Sequence, residues 1–293
     1  MRLLAVPNWS FGRNKDLLAR LASKLEGYDL LVHYLESDAD HNRTVTAYYG
    51  ESTEVFKATL DLAAEVFDSV DLNKHVGVHP RIGALDVCPF VLGPSASLTD
   101  IELAKADIEL FAANLAARHQ IPVFLYEKSE RGRHEADLPS LRHGGFGGLL
   151  QRELHPDFGP SRAHPELGVT VTGLRDFLIA LNVEMARADP DIARDLAQRI
   201  RLLRQEGDSR FLGVRALGFP LASSGNSQVS LNVTLPDITP IDPILEWVIS
   251  EIKELGIKGI KTQLIGVIRR SDLAQATRLV IRDSQIVDFA EAM

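Results

Sequence analysis

The sequence has a single cysteine, Cys88, in 293 residues, so no intrachain disulfide can form and nothing points to an oxidising compartment. It also lacks a long hydrophobic run. No stretch approaches the ~18 apolar residues that a membrane span needs. The opening MRLLAVPNWS is apolar only from Leu3 to Val6, too short for a secretory core segment. Basic residues are in the minority, with 32 Lys and Arg against 40 Asp and Glu and a formal net charge of −8. No Lys/Arg run of the kind that follows a phosphate backbone occurs, so neither nucleic acid nor membrane is an expected partner. These absences lead to the expectation of a cytoplasmic protein. An acidic small molecule would have to be caught by a local basic pocket, against the field of the whole chain.

What is present is enough to fold. Hydrophobic residues make up 45% and charged residues 25% of the chain, which supports a packed core. The length predicts two compact units, placed at 1–173 and 174–293. Their patterns repeat. Leu3–Pro7 reads as a strand, followed by Asn14 as the N-cap of a helix carrying Leu17, Leu18, Leu21 and Leu25. Leu30–Leu35 and Thr44–Tyr49 read as strands, a helix begins at Ser52, and Ala84–Val91 reads as a buried strand. In the second half Arg175–Val183 is expected as a strand. A helix capped by Asp189 with Pro190 in its first turn follows, then strands at Phe211–Phe219 and Gln228–Leu235. A helix opened by Thr239-Pro240 and closed at Gly256 leads to a last strand, Ile260–Ile268. Each half therefore spells β-α-β-β-α-β, and the fold class is α/β (α+β) built from two ferredoxin-like subdomains.

An insertion separates the halves. It holds a helix from Leu98 to His119 with Ser97 and Asp100 as a capping box, then a strand, Val123–Tyr126. Residues 128–167 show little periodicity and read as a long functional or disordered loop. The run Gly144-Gly145-Phe146-Gly147-Gly148 lacks the Gly-Lys-Ser/Thr ending of a phosphate loop and reads as a flexible connection.

Four segments concentrate chemistry: Val6 to Asn14, Asp38 to Thr44, His75 to Phe90, and Pro156 to Gly173. His79 precedes Pro80 and so lies outside a helix. A neutral imidazole there either serves as a proton acceptor or merely orders a turn. His75 and His79 have the i, i+4 spacing of a helical metal pair, but Gly77 and Pro80 argue against a helix, and no metal is expected. Arg43 and Arg81 offer the planar fork that grips carboxylates, or else form surface ion pairs. Asn8 either meets a ligand or shapes its turn. Cys88 reads as a small core residue.

The same segments resemble the formiminotransferase family, the glutamate formimidoyltransferases. The family's pattern reads VPNFSEGRN, NRTV, GEHPRMGALDVCPF, PDFGP and TVTGxRKFLIAFN. The corresponding stretches here are Val6–Asn14, Asn42–Val45, Gly77–Phe90, Pro156–Pro160 and Thr170–Asn182. The resemblance implies transfer of a formimino group from N-formimino-L-glutamate to tetrahydrofolate as co-substrate, in histidine degradation, with folate in a cleft between the two subdomains. It implies His79 as the catalytic histidine and Asp38 as its assisting carboxylate. Asn8, Asn42, Arg43, Arg81, Asp157, Thr170, Thr172 and Gly173 are implied as substrate- or folate-binding positions. A homodimer is implied as well, and since many animal members are fused to a cyclodeaminase, a separate cyclodeaminase is expected to act next. Phe11 and Val78 depart from family glutamates, and Arg269 from a common proline. Those departures leave two alternatives, a folate-dependent glutamate formyltransferase and a folate-binding protein without turnover.

Overall fold

A computed structural model of the protein describes residues 1–187 and 189–290. The chain divides into two compact units, Met1–Arg175 and Asp176–Met293.

The first unit opens with two short strands, β1 (Arg2–Ala5) and β2 (Asn8–Trp9), broken at Val6-Pro7 because proline cannot continue the ladder. Helix α1 (Lys15–Leu25) starts where Asn14 accepts the Leu17 N–H at 2.9 Å, and it buries Leu17, Leu21 and Leu25. Strands β3 (Leu30–Asp38) and β4 (Arg43–Glu51) form a hairpin, and α2 (Ser52–Phe67) leads to β5 (Leu85–Val91), every residue of which is buried. Helix α3 (Leu98–His119) begins at the Ser97–Asp100 capping box. Four further elements follow in the first unit, β6 (Val123–Leu125), the short helices α4 (Leu138–Leu141) and α5 (Gly145–Leu150), and β7 (Thr170–Leu174).

The sheet runs β3-β4-(β1, β2)-β5-β7-β6. Pairing is antiparallel from β3 to β5 and parallel from β5 through β7 to β6. Helices α1, α2 and α3 cover one face, enclosing Trp9, Tyr48, Phe90 and Phe111. Cys88 is fully buried among them, and burial pushes its thiol up, so it stays protonated and inert. Phe11 belongs to the same cluster at 4% exposure, which explains an apolar residue where the family pattern has glutamate.

The second unit contains β8 (Ile179–Met185), α6 (Pro190–Gln205), β9 (Val214–Leu221), β10 (Asn226–Val233), α7 (Ile241–Glu254), β11 (Ile260–Ile265) and the pair β12 (Ile268–Arg269) and β13 (Ile286–Val287). Its main sheet is antiparallel in the order β11-β8-β10-β9. The first unit's β5-(β1, β2)-β4-β3 stretch has the same arrangement of first, second, third and fourth strands, so both halves follow one β-α-β-β-α-β plan.

Three expectations are corrected. The strand placed at Arg175–Val183 starts only at Ile179, as β8, because residues 175–178 are an irregular connection from β7, which ends at Leu174. The loop 128–167 contains α4 and α5, and the glycine run read as a flexible connection forms the start of α5, entered through Gly144 at φ +82°. The last strand ends at Ile265, because Gly266 takes φ +75° and turns the chain into β12.

Arg269 has a structural place of its own. Its guanidinium is buried against Asp272 at 2.7 and 2.8 Å, reaches Asp237 at 2.7 Å, and lies over the Phe177 ring at 5.2 Å. A proline could make none of these contacts.

Candidate active site

The β3–β4 hairpin and the loop before β5 build the site. Asp38 closes the hairpin turn by accepting the backbone N–H groups of Asp40 and His41, each at 2.9 Å. Asn42 follows at φ +46°, a left-handed conformation that a short polar side chain tolerates. Its amide ties three segments together, accepting from Gly12 N–H at 2.8 Å and donating to the Val76 carbonyl at 3.0 Å. Gly77 is required where the loop meets the hairpin, since a Cβ there would lie 2.5 Å from the His41 carbonyl oxygen. The two loops are thus pressed backbone to backbone. That contact brings Arg43 and His79, 36 residues apart, to 2.8 Å between Nη1 and Nε2.

The hydrogen bonds fix the histidine tautomers. A guanidinium only donates, so His79 Nε2 must carry a lone pair and the proton resides on Nδ1. Nδ1–H then donates to the backbone of Pro80, which offers only its carbonyl. His75 takes the opposite tautomer. Its Nδ1 accepts from Arg81 Nη1 at 2.5 Å and its Nε2 donates to the Asn42 carbonyl at 2.8 Å. Arg81 also donates to the Gly77 carbonyl at 2.6 Å and so braces the loop. Both His75 nitrogens are engaged, which removes it from the metal pair considered from spacing. Among the described residues no group of three or more His, Cys, Asp or Glu could hold a metal ion.

Burial and neighbouring cations keep the histidines neutral. His79 is held well below the ordinary imidazole range, first by desolvation and then by Arg43, Arg142 and His41. His41, 2% exposed with its ring 5.8 Å from that of His79, is lowered by burial and Arg43. His75 is lowered by burial and Arg81. Arg43 itself drops to about 10 through burial and the charge of Arg142, and remains a cation at neutral pH. Asp86, 3% exposed, is the carboxylate set among these cations. It accepts the Ile82 N–H at 2.8 Å and pairs with Arg142, which the insertion delivers from the end of α4. Nε of Arg43 and Nε of Arg142 are buried and have no hydrogen-bond partner among the described residues. Such donors suit the oxygens of an acid.

The structure brings together His79, Arg43, Arg81 and Asn42 from the positions expected in the sequence. Asp38 stands in the same hairpin, where its charge acts on Arg43 and His41. Asn8 donates to the Val6 carbonyl at 3.2 Å, across the strand break. The remaining positions lie in the extension of the sheet. Asp157 is a buried carboxylate that accepts Leu125 N–H at 2.7 Å and His134 Nε2 at 2.8 Å. Burial raises its pKa, but those two hydrogen bonds outweigh it and hold the group low. Thr170 and Thr172 are buried on β7, and Thr172 donates to the Cys88 carbonyl at 2.8 Å. Gly173 lets β7 approach Tyr126, whose carbonyl oxygen would be 2.4 Å from a Cβ. His41, Asp86 and Arg142 were not among the expected site residues. The first lies inside the Asp38 to Thr44 segment, whereas nothing in the linear pattern marks an arginine 56 residues beyond its partner.

A neutral, oriented imidazole set among arginines on an α+β scaffold defines a protein equipped for acid–base chemistry on an anion. Comparison with known proteins gives the family. Residues 2–175 match the formiminotransferase domain, N-terminal subdomain, and residues 179–293 match the formiminotransferase domain, so this chain belongs to the formiminotransferase family. It is 34% identical over 284 residues to a formimidoyltransferase-cyclodeaminase of Sus scrofa, covering 92% of this chain and 51% of that protein. It is 32% identical over 294 residues to a glutamate formimidoyltransferase of Streptococcus pyogenes serotype M1, covering 97% and 93%. A glutamate formimidoyltransferase of Thermoplasma acidophilum is 29% identical over 285 residues, covering 94% and 91%. The chain thus spans about half the length of the fused relatives and nearly all of the shorter ones.

Proposed function

We propose that the chain is a glutamate formimidoyltransferase, moving the formimino group of N-formimino-L-glutamate to N5 of tetrahydrofolate. The observation that carries this reading is the Arg43–His79 pair, which presents a neutral imidazole with a defined lone-pair nitrogen beside cations suited to the donor's carboxylates. His79 Nε2 takes the proton released as N5 bonds to the formimino carbon. The same nitrogen returns that proton to the glutamate nitrogen as its bond to carbon breaks. General acid–base transfer of this kind contributes roughly 10²–10⁴-fold, and holding two substrates in register supplies much of the rest. Arg43 and Arg142 would hold the donor's carboxylates. Two ferredoxin-like subdomains, a homodimer and a role in histidine degradation belong to the same reading, and sedimentation of the purified chain tests the dimer.

The direct test is a steady-state assay with tetrahydrofolate and N-formimino-L-glutamate, with N-formyl-L-glutamate as the competing donor. Wild-type turnover is expected with the formimino donor. His79→Ala is expected to lose at least about 10²-fold in kcat while still binding folate by calorimetry. Near-normal turnover of the variant would remove His79 from the mechanism.

A further inference from the structure

The geometry that supplies the base also blocks it. Arg43 Nη1 sits 2.8 Å from His79 Nε2, and the guanidinium has nothing but N–H groups to offer. The single lone pair of the imidazole is therefore occupied, and no N–H of a substrate can reach that nitrogen while Arg43 stays. We propose that Arg43 masks His79 in the free protein and that a carboxylate of the acidic donor draws it away, so that the donor itself uncovers the base. This deepens the transferase reading and rests on it.

Three observations support the exchange. First, the present arrangement leaves Arg43 incompletely bonded, because its Nε is buried and has no partner among the described residues. An imidazole offers a guanidinium one acceptor, whereas a carboxylate offers two in the spacing of the guanidinium fork. Second, Arg142 stands by with the same open Nε while its terminal nitrogen pairs with Asp86. A dicarboxylate would thus meet two guanidinium groups with buried Nε donors, whose charges act on each other. Third, the cations and the second imidazole nearest His79 come from three different segments and push the same way. Arg43 from β4, Arg142 from the end of α4 and His41 from the β3–β4 turn lower it, the Pro80 carbonyl opposes them, and Arg81 and the Asp86 carboxylate line the same small cavity. Pairing Arg43 with a carboxylate both vacates Nε2 and neutralises the cation nearest to it. The imidazole becomes available and more basic in the same event.

The chemistry then balances within the site. N5 of the folate bonds to the formimino carbon and its proton passes to the uncovered Nε2. The carbon–nitrogen bond to glutamate breaks, and the proton moves from Nε2 to that nitrogen. No other reactant enters. The donor must bind before the base can act, so Arg43 is a positioning residue as well as a carboxylate ligand.

The test is nitrogen NMR of the full chain carrying 15N-labelled histidine, with and without L-glutamate, in wild type, Arg43→Met and Arg43→Lys. In the free wild type His79 should show the Nδ1–H tautomer with Nε2 as acceptor. Saturation with L-glutamate, verified by calorimetry, should abolish that acceptor signature and move the His79 titration upward, toward the ordinary imidazole range. Arg43→Met should show the same upward shift without ligand, and Arg43→Lys should raise the donor KM about tenfold. The wild-type titration needs no variant to fold. A His79 resonance that ignores bound L-glutamate overturns the proposal even if the enzyme turns over. Conversely, an Arg43-dependent shift in a chain that transfers nothing from N-formimino-L-glutamate would remove the transferase reading while leaving the mask in place.

Discussion

At the scale of single residues the site depends on histidines kept neutral by burial and neighbouring positive charge. A base works in its unprotonated form, and a depressed pKa extends that form into acid. The kcat/KM of the chain, which reports the free protein, should therefore persist below the ordinary imidazole value of about 6.5 and fall only as pH drops through the lowered value. A kcat/KM profile centred at or above pH 6.5 would contradict the environment described for His79. A histidine before proline in a glycine-bearing loop cannot serve a helix, which left His79 either a base or a turn residue, and it was the resemblance that implied the base. Arg142 could not be picked out, because its place beside Asp86 depends on how α4 folds back onto the sheet. Asp38 shows a different limit. The resemblance implies a carboxylate assisting the base, but only the folded hairpin shows that one of its oxygens accepts two N–H groups of its own turn.

At the scale of elements, the site is held by backbone contacts that exclude side chains. Replacing Gly77 by alanine would put a methyl carbon 2.5 Å from the His41 carbonyl, and neither loop has a flexible end to yield. Gly77→Ala should cost roughly 1–3 kcal/mol of stability and lower kcat more than it raises KM, measured by denaturant unfolding and steady-state kinetics. Unchanged kcat would show that the register of the two loops does not matter to the chemistry. In the second unit Arg269→Met would leave Asp272 buried without its cation and should destabilise by roughly 3 kcal/mol, visible in denaturant unfolding. The Asp237 arm is largely exposed and adds little. Helices were legible because caps and periodicity are local, as at Asn14, Ser97 and Asp189. Strand ends were less so. Thr170 to Asn182 is almost continuously apolar or β-branched, and the break between β7 and β8 answers to no turn residue stronger than Arg175-Asp176.

At the scale of the whole molecule the neutral histidines couple the site to stability. An imidazole whose folded pKa is lowered binds its proton more readily in the unfolded chain. Its contribution is complete above about pH 6.5 and is lost as pH falls below that value toward the folded pKa. His79, His41 and His75 all act in this direction, whereas His134, raised by Asp157 despite its burial, acts in the other. Each fully neutral group adds up to about 1.4 kcal/mol per pH unit, less for the partly exposed His75. The unfolding free energy should therefore decline between pH 6.5 and 5, and His41→Gln or His79→Gln should flatten the decline. A pH-independent stability in that window would mean that these histidines are charged in the native state.

The parallel strands that extend the first sheet also have a consequence for synthesis. Strand β5 is completed at Val91, yet β7, which pairs along its other edge, is not made until Thr170 to Leu174. The gap is roughly 80 residues, or about 4–16 s at ordinary elongation rates. Throughout that interval the nascent chain presents a bare apolar strand edge, the kind of edge on which other chains add themselves. The ribosome-bound protein therefore has a vulnerable period, ended by the arrival of a five-residue segment.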